Sequence, residues 1–416
     1  MSKHAISPTQ AIAISLGSMI GWGAFVMPGD LFLNKTNFLG SLFAFALGTA
    51  LIILVAHSYI RLMNKESSHT GGAVAWVKKY VGITHARIYS WAVLAGYIAI
   101  IALNASAIVL LLRTLLPNDW NIIHLYQING WDVYLNELLA SLITLALFAL
   151  VNYKGLRAGA SIQLIISLLM VIAIVSLTTL SIFNADTHSQ YLPNISTELS
   201  FLNSTSWLAV LAVVPWAYVG FETTPHIAKN IRDSQRKTKY IVYLSLISGF
   251  FCYILVNYLT ALNFNFDYSA IHSSMWATGE GIRNQIGSWG MVILALAMIG
   301  AILSGINGFM LSTIKLLESM NDMDLAPKRI QHWFNQSPQQ PPIQIISIIF
   351  IICTMMLLLG RNHLLTLVNI SSFGIALGFV YIVIADIQAQ KQRQETVGIF
   401  SYLALGASLL FMGLVF

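Results

Sequence analysis

The sequence predicts an all-α polytopic membrane protein with about 11 transmembrane helices, the first and sixth of which are broken near the middle. Three observations lead to this prediction. Of the 416 residues, 57% are hydrophobic and only 9% are charged, whereas soluble proteins carry about 25% charged residues. Apolar runs long enough to cross a bilayer recur along the whole chain. Helix-breaking residues interrupt two of these runs at corresponding positions.

The apolar runs set the number of predicted helices. A hydrocarbon core of about 30 Å needs about 20 apolar residues per helix. Runs of about this length, bounded by charges, prolines or polar clusters, cover residues 9–33, 38–63, 87–115, 133–153, 160–184, 205–232, 237–263, 287–318, 341–360, 363–386 and 396–416. No small-residue cleavage site follows a short apolar core in the first run, so we expect it to be retained as a spanning helix.

The distribution of basic residues predicts the orientation. With a cytoplasmic N-terminus, 18 of the 22 Lys and Arg residues lie on the cytoplasmic side, and only Lys35, Arg113, Arg283 and Arg361 lie on the other. Cytoplasmic loops of membrane proteins carry such an excess of positive charge. We therefore expect a multi-pass protein of the plasma membrane, the inner membrane in bacteria. The excess of basic residues in cytoplasmic loops explains the net charge of +6. We therefore expect the lipid bilayer, and not nucleic acid, as a partner.

The order of the runs predicts one transmembrane domain over residues 1–416 that contains an inverted repeat. The two interrupted runs are five helices apart, so the second set of five crosses the membrane in the opposite sense. The predicted repeats are 9–184 and 205–386, and the run at 396–416 is an additional helix. If that run spans, the C-terminus lies outside.

The first interruption is rich in glycine. Gly17, Gly21 and Gly23 fall within seven positions, and glycine costs about 1 kcal/mol relative to alanine inside a helix. An unwound segment exposes backbone N–H groups, which attract anions such as a carboxylate at a helix N-terminus. The alternative is that Gly17 and Gly21 form a small-residue packing face between two unbroken helices. The candidate binding residues at this break are Ser18, Met19, Ile20, Gly21, Trp22 and Gly23.

The second interruption contains an acidic residue at membrane depth. Glu222 lies in the sixth run, between two prolines at positions 215 and 225. Charges at this depth are costly and usually functional. This carboxylate is a candidate for carrying a proton between the two membrane faces or for pairing with a substrate ammonium group, and the alternative is that it caps the broken backbone. The candidate binding residues at this break are Trp216, Ala217, Tyr218, Gly220, Phe221 and Glu222.

Other polar and aromatic side chains in the apolar runs each have a functional and a structural interpretation. Asn104 and Asn307 can hydrogen-bond a ligand or a neighbouring helix. The aromatic residues at the two breaks can form a gate or stack on a cation, although core packing is the favoured interpretation for any one of them. His57 and His226 lie toward the cytoplasmic ends of their helices, where a histidine either titrates near neutral pH or is simply solvated.

Several classes of function lack their sequence signatures. Cys252 and Cys353 both fall inside apolar runs, so neither a disulfide framework nor a cysteine metal site is expected. No zinc-binding His/Glu spacing, phosphate-binding glycine loop or nucleophile elbow occurs. We therefore expect no metal and no cofactor, and an enzyme is the least expected class.

Four stretches resemble the amino acid–polyamine–organocation superfamily of permeases. Residues 17–25 (GSMIGWGAF) resemble the glycine-rich signature of its first helix, and residues 71–82 (GGAVAWVKKYVG) resemble the entry to helix three. Residues 152–157 (NYKGLR), continuing to Gln163, resemble the start of helix five. Residues 312–320 (STIKLLESM), with Asp324-Leu325-Ala326-Pro327 after them, resemble the end of helix eight.

The resemblance implies a LeuT-type fold of five plus five helices and a substrate site between the unwound parts of helices one and six. It implies that the backbone from Ser18 to Gly23 holds a carboxylate, and that residues 216–222 supply carbonyl groups and an aromatic lid. Trp216 and Glu222 match positions that act as gate and acidic site in arginine/agmatine and polyamine exchangers. Met170 lies where some members carry a lysine that replaces a sodium ion, which leaves coupling to a proton or to sodium open.

These observations together predict a secondary transporter for an amino acid, working by proton symport or by exchange, with Glu222 as the coupling group. One alternative is an exchanger of polyamines or of amino acids and amines, in which Glu222 stays charged as the partner of an ammonium group. An alternative from another class is a sensor or partner subunit that binds a ligand without moving it.

Overall fold

The computed structural model describes residues 6–66, 72–116, 120, 122–184, 194–231, 234–336 and 341–414. The first half contains helices α1 (Pro8–Met19), α2 (Gly23–Met27), α3 (Leu33–Lys35), α4 (Phe38–Lys65), α5 (Gly72–Tyr80), α6 (Ile83–Leu115), α7 (Leu135–Tyr153) and α8 (Leu156–Asn184). Strands β1 (His124–Ile128) and β2 (Trp131–Tyr134) form a hairpin between α6 and α7.

The second half begins with α9 (Ile195–Glu198) and α10 (Trp207–Ala217) and continues through α11 (Thr224–Ile227) and α12 (Ser234–Asn263). Helices α13 (Tyr268–Ser273) and α14 (Ala277–Gln285) lead into the long α15 (Ser288–Asp322). The last helices are α16 (Lys328–Gln336), α17 (Ile343–Leu358), α18 (Gly360–Gln392) and α19 (Ile399–Leu414). Short π and 3₁₀ turns at Pro28–Phe32, Leu199–Asn203, Phe221–Thr223 and Ala228–Asn230 complete the described elements.

The structure confirms an all-α membrane protein, apart from the one hairpin. Each of the predicted apolar runs contains at least one helix. Within the described ranges, eight helices are long and apolar enough to cross a membrane, or nine when the two halves of the first are taken as one span. Helices α17 and α19 are apolar but only 16 residues long, so a total of 11 spans remains a prediction. Both predicted interruptions are present, after α1 and after α10.

The hairpin was not predicted. The apolar run expected from residue 133 starts as strand β2, and α7 begins only at Leu135. Asn129 and Gly130 join the strands with φ of +46° and +72°. An Asn-Gly pair with both φ values positive is the typical two-residue turn of a β-hairpin. This dipeptide is the signal in the sequence from which the turn could have been predicted.

The bundle is built around the broken first helix. A capping box starts α1, in which the Ser7 hydroxyl accepts from the backbone N–H of Gln10 and the Gln10 side chain accepts from the backbone N–H of Ser7. Such a box satisfies two of the N–H groups that a helix leaves free at its start. Helices α8, α12 and α15 pack around α1, so the break lies in the interior. The connectors 64–86 and 264–286 each contain a nine-residue helix, α5 and α14, which agrees with an inverted repeat; the repeat itself remains a prediction.

An ion cluster joins three elements at the end of α4. The Glu66 carboxylate accepts hydrogen bonds from Lys79 at 2.8 Å, from the Tyr80 hydroxyl and from Arg393. These partners come from α5 and from the residue after α18. Burial alone raises the pKa of Glu66, but the three hydrogen bonds outweigh it and lower the pKa from 4.5 to about 2. The charged form of Glu66 is therefore favoured by folding.

We expect Glu66→Gln to destabilise the protein at pH 7 and the difference from wild type to shrink in acid. Because folding lowers the pKa of Glu66, its contribution is fully present above pH 4.5 and is lost as the pH falls toward 2. Denaturant unfolding of the detergent-solubilised protein between pH 7 and 3 measures this. Glu395→Gln, which removes the exposed partner of Lys65, is the control and should have a much smaller effect. A pH-independent difference for Glu66→Gln would contradict the prediction.

Candidate functional site

The first helix opens at the residues that follow α1. Ile20 has an extended backbone with φ −90° and ψ 96°, and the helix resumes at Gly23 with a bend of 49° between the two parts. The Gly21 and Trp22 carbonyls accept from the N–H groups of Ala24 and Phe25. Within the described residues, the N–H groups of Gly21, Trp22 and Gly23 donate no hydrogen bond. Three free donors therefore sit at the start of the second half-helix, where the helix dipole favours an anion.

The sixth helix opens beside the first. Gly220 has a φ of +131°, which L-residues rarely adopt. Its N–H donates to Oε2 of Glu222 at 2.8 Å, and its carbonyl accepts from the Thr223 hydroxyl at 2.7 Å. If residue 220 had a Cβ atom, that atom would lie 2.6 Å from Cβ of Ser18 and 2.8 Å from the backbone nitrogen of Met19. The two breaks are thus in direct backbone contact, and only glycine fits between them.

We expect Gly220→Ala to lower the free energy of unfolding by about 2 to 3 kcal/mol, because it combines a disfavoured φ with a clash against a neighbouring backbone. Thermal unfolding of the purified protein in detergent measures the loss. Gly413→Ala is the matched control, since a Cβ there meets no atom within 4 Å. Equal melting temperatures for the two variants would show that the two breaks can separate without cost.

A pocket lies where the two breaks meet. It is lined by Ser18, Met19, Gly21, Trp22, Gly23, Ile100, Leu103, Asn104, Trp216, Val219, Tyr253 and Phe309. The indole of Trp216 packs against Gly23, with Cη2 3.0 Å from the position of a Cβ there. The Tyr253 hydroxyl donates to the Met19 carbonyl at 3.0 Å. Oδ1 of Asn104 is buried without a hydrogen-bond partner among the described residues.

Seven of the predicted binding residues line this pocket: Ser18, Met19, Gly21, Trp22, Gly23, Trp216 and Asn104. The other seven lie outside the lining: Ile20, Ala217, Tyr218, Gly220, Phe221, Glu222 and Asn307. The lining residues that were not named as candidates are Ile100, Leu103, Val219, Tyr253 and Phe309, and of these only Val219 falls in the segment 216–222 that the resemblance assigned to the site. Most of these are ordinary apolar residues of spanning helices, so the sequence carries no signal that separates them from the core.

The residues outside the lining have structural partners. The Tyr218 hydroxyl is 2.6 Å from the Thr49 hydroxyl, and Phe221 packs edge-on against Tyr59 with centroids 5.5 Å apart. Asn307 donates to Gln163 Oε1 at 2.7 Å and accepts from Asn152 at 2.9 Å. The two interpretations therefore apply to different residues. Asn104 faces the pocket, where it can bind a ligand, whereas Asn307 hydrogen-bonds neighbouring helices and joins α15 to α7 and α8.

Glu222 is buried behind the pocket, at 2% exposure. Its Oε2 caps Gly220, its Oε1 forms no hydrogen bond of normal geometry with the described residues, and the Tyr97 hydroxyl is the side-chain donor placed near it. The Tyr97 ring packs at a tilt against Phe309 of the pocket wall, with centroids 5.4 Å apart, and edge-on against His226, with centroids 6.3 Å apart. A chain of aromatic contacts thus links the carboxyl group to the pocket.

The two histidines differ in environment. His57 is partly exposed and its Nδ1 lies 3.3 Å from the Tyr243 hydroxyl. His226, by contrast, is 2% exposed, and neither ring nitrogen has a partner within the described ranges. The expectation of a solvated histidine therefore does not hold for His226, because α11 turns it into the bundle beside Tyr97.

Comparison with known proteins gives consistent matches. The family model described as "Amino acid permease" matches residues 6–416. The serine/threonine exchanger SteT of Bacillus subtilis (strain 168) is 21% identical, with 99% of this chain and 91% of that protein covered. The branched-chain amino acid permease BcaP of Lactococcus lactis subsp. cremoris (strain MG1363) is also 21% identical, over 78% of this chain and 70% of that protein. These relatives are transporters and not enzymes.

Proposed function

This chain belongs to the amino acid permease family, and we propose that it is a secondary active transporter that moves an amino acid by alternating access. Membership agrees with the resemblance to the amino acid–polyamine–organocation superfamily noted from the sequence. The observation that carries the proposal is the pocket at the two helix breaks, with free N–H groups on one side of it.

The breaks offer complementary groups to the two ends of an amino acid. A carboxylate can accept hydrogen bonds from the free N–H groups of Gly21, Trp22 and Gly23. The carbonyls of Ala217 and Val219 accept no hydrogen bond within the described residues, and Oδ1 of Asn104 is also unpaired. An ammonium group needs several such acceptors when it leaves water.

The rest of the lining favours a neutral amino acid. Ile100, Leu103 and Phe309 present apolar surface, and none of the described residues that line the pocket is acidic or basic. A polyamine brings two or more positive charges and no carboxylate, so it leaves the N–H groups unpaired and finds no counter-charge. This weighs against the amine exchanger. The two relatives are named for serine or threonine and for branched-chain amino acids, which supports neutral substrates.

We propose that Glu222 couples transport to protons. It is a buried carboxyl group, and its Oε1 has no hydrogen-bond partner among the described residues. Its Oε2 accepts from the backbone of the second break, and the nearby Tyr97 packs against Phe309 of the pocket wall. The protonation state of Glu222 therefore acts on the backbone that contacts the first break. Sodium coupling receives no comparable support from the described residues.

The proposed location is the plasma membrane, with the N-terminus in the cytoplasm. The imbalance of basic residues supports this orientation. The ion cluster of Glu66 then lies on the cytoplasmic side.

Uptake into proteoliposomes tests the proposal. Labelled L-serine, L-leucine and putrescine are each offered with and without an inward proton gradient, to empty vesicles and to vesicles loaded with unlabelled compound. Gradient-driven accumulation identifies a symporter, whereas uptake only into loaded vesicles identifies an exchanger. Binding without uptake in any condition would overturn transport in favour of a sensor.

A further inference from the structure

A buried arginine lies next to the central pocket. Arg361 is the second residue of α18 and is only 4% exposed. Its guanidinium carbon lies 4.3 Å from the centre of the Trp22 ring. Trp22 also lines the central pocket. One indole ring therefore separates the guanidinium group from the proposed substrate site.

Among the residues that the structure describes, no carboxylate forms an ion pair with Arg361. Its Nη1 donates to the Ser106 hydroxyl at 2.6 Å, and its Nη2 has no partner among the residues that the structure describes. No carboxylate oxygen within the described ranges lies within 4 Å of it. A buried cation without a counter-ion is costly, and charged groups at this depth are usually functional.

Arg361 lines a second pocket between α6, α7, β2 and α18, of similar size to the central one. The acid in this pocket, Glu137, is already paired with Arg113 through two bonds of 2.6 and 2.7 Å. Glu137 is therefore balanced by a partner outside the lining, and Arg361 has no carboxylate of its own among the described residues. The start of α18 adds the positive end of a helix dipole near Arg361.

We propose that Arg361 forms a second binding site, for the carboxylate group of an amino acid on its way to the central pocket. This inference rests on the proposed function for the identity of the ligand. The planar guanidinium group suits a carboxylate because it can donate two parallel hydrogen bonds. Trp22 is the wall shared by the two sites, and a ligand on Arg361 neutralises the charge that holds the Trp22 ring.

Equilibrium dialysis with the purified full-length protein tests the site. The probes are labelled L-serine and L-leucine, with ethanolamine and 3-methylbutylamine as analogues that lack the carboxylate. We expect wild type to bind two equivalents of the preferred amino acid, and Arg361→Gln and Gly21→Leu to bind one each. The double variant should bind none. Arg361→Lys keeps the charge without the planar fork and should weaken the second equivalent about tenfold.

Each outcome decides the proposal. One equivalent in wild type, unchanged in Arg361→Gln, would overturn the second site even if vesicles transport the probe. One equivalent that Arg361→Gln abolishes in a protein that does not transport would support the site and overturn the proposed function. Tight binding of the amines in an Arg361-dependent manner would contradict a carboxylate site. No binding of any probe would overturn both proposals. Gel filtration and melting temperature confirm that each variant is folded.

Discussion

Glu222→Gln is expected to abolish proton-driven accumulation while exchange of substrate persists. Glutamine has the shape of glutamate and can still accept the hydrogen bond that Oε2 receives from the Gly220 N–H at 2.8 Å. The backbone of the break is therefore kept, and only the group that gains and loses a proton is removed. This variant separates the coupling role from the capping role, the two readings that the sequence left open.

The expected effect is large. A proton gradient of about two pH units stores about 2.7 kcal/mol, enough for about 100-fold accumulation by a one-proton symporter. In Glu222→Gln the ratio of internal to external substrate should fall to about one. The measurement is uptake of the preferred amino acid into proteoliposomes, with counterflow into loaded vesicles as the measure of exchange.

Two controls sharpen this experiment. Glu222→Asp keeps a carboxyl group but shortens the side chain, so it should retain pH dependence with a lower rate. Tyr97→Phe removes the hydroxyl near Glu222 and should alter the pH dependence of uptake without abolishing accumulation. Undiminished accumulation in Glu222→Gln would eliminate the coupling role. If exchange by the wild type were independent of pH and Glu222→Asp were tolerated, the amine exchanger would be favoured.

The broken helices were predictable because their causes are local. Glycines within the first run and the pair of prolines around Gly220 weaken helical hydrogen bonding wherever they occur, and both breaks appear in the structure. The position of Glu222 behind the pocket, and not in its lining, was not predictable, because it depends on how the chain turns between the break and α11. Arg361 was counted only as an extracellular charge, since its burial requires α6 and β2 to cover it.

Gly17 and Gly21, which the packing alternative groups together, have different environments in the structure, and no sequence pattern revealed the difference. Gly17 lies within α1, and a Cβ there comes within 1.9 Å of the Ser304 hydroxyl and 2.2 Å of Gln163 Nε2. Gly21 lies in the break, and the nearest atom to a Cβ there is Asn104 Oδ1 at 3.5 Å. The packing reading therefore describes Gly17 and the unwinding reading describes Gly21. This difference depends on which way each residue faces after the chain has bent.

Gly21→Leu is accordingly expected to abolish binding at the central pocket without preventing membrane insertion. Its Cβ fits, but the remaining carbons extend into the pocket beside the free N–H groups of Trp22 and Gly23. Overfilling a packed space costs about 1 to 3 kcal/mol, which alone lowers affinity about 5-fold to 160-fold, and displacing the carboxylate from the free N–H groups removes the remaining affinity. Equilibrium dialysis in an Arg361→Gln background isolates the central pocket, and gel filtration in detergent reports folding.

Two alanine variants complete the argument. Gly21→Ala should bind almost normally, because its methyl group makes only ordinary contact with Asn104. Gly17→Ala should instead lower the melting temperature, because the helices α8 and α15 must move away from α1 to admit it. If Gly21→Leu bound substrate normally, the carboxylate could not rest on the backbone of this break. If Gly17→Ala and Gly21→Leu lost stability equally, both glycines would serve packing, and the free N–H groups at the break would need another partner.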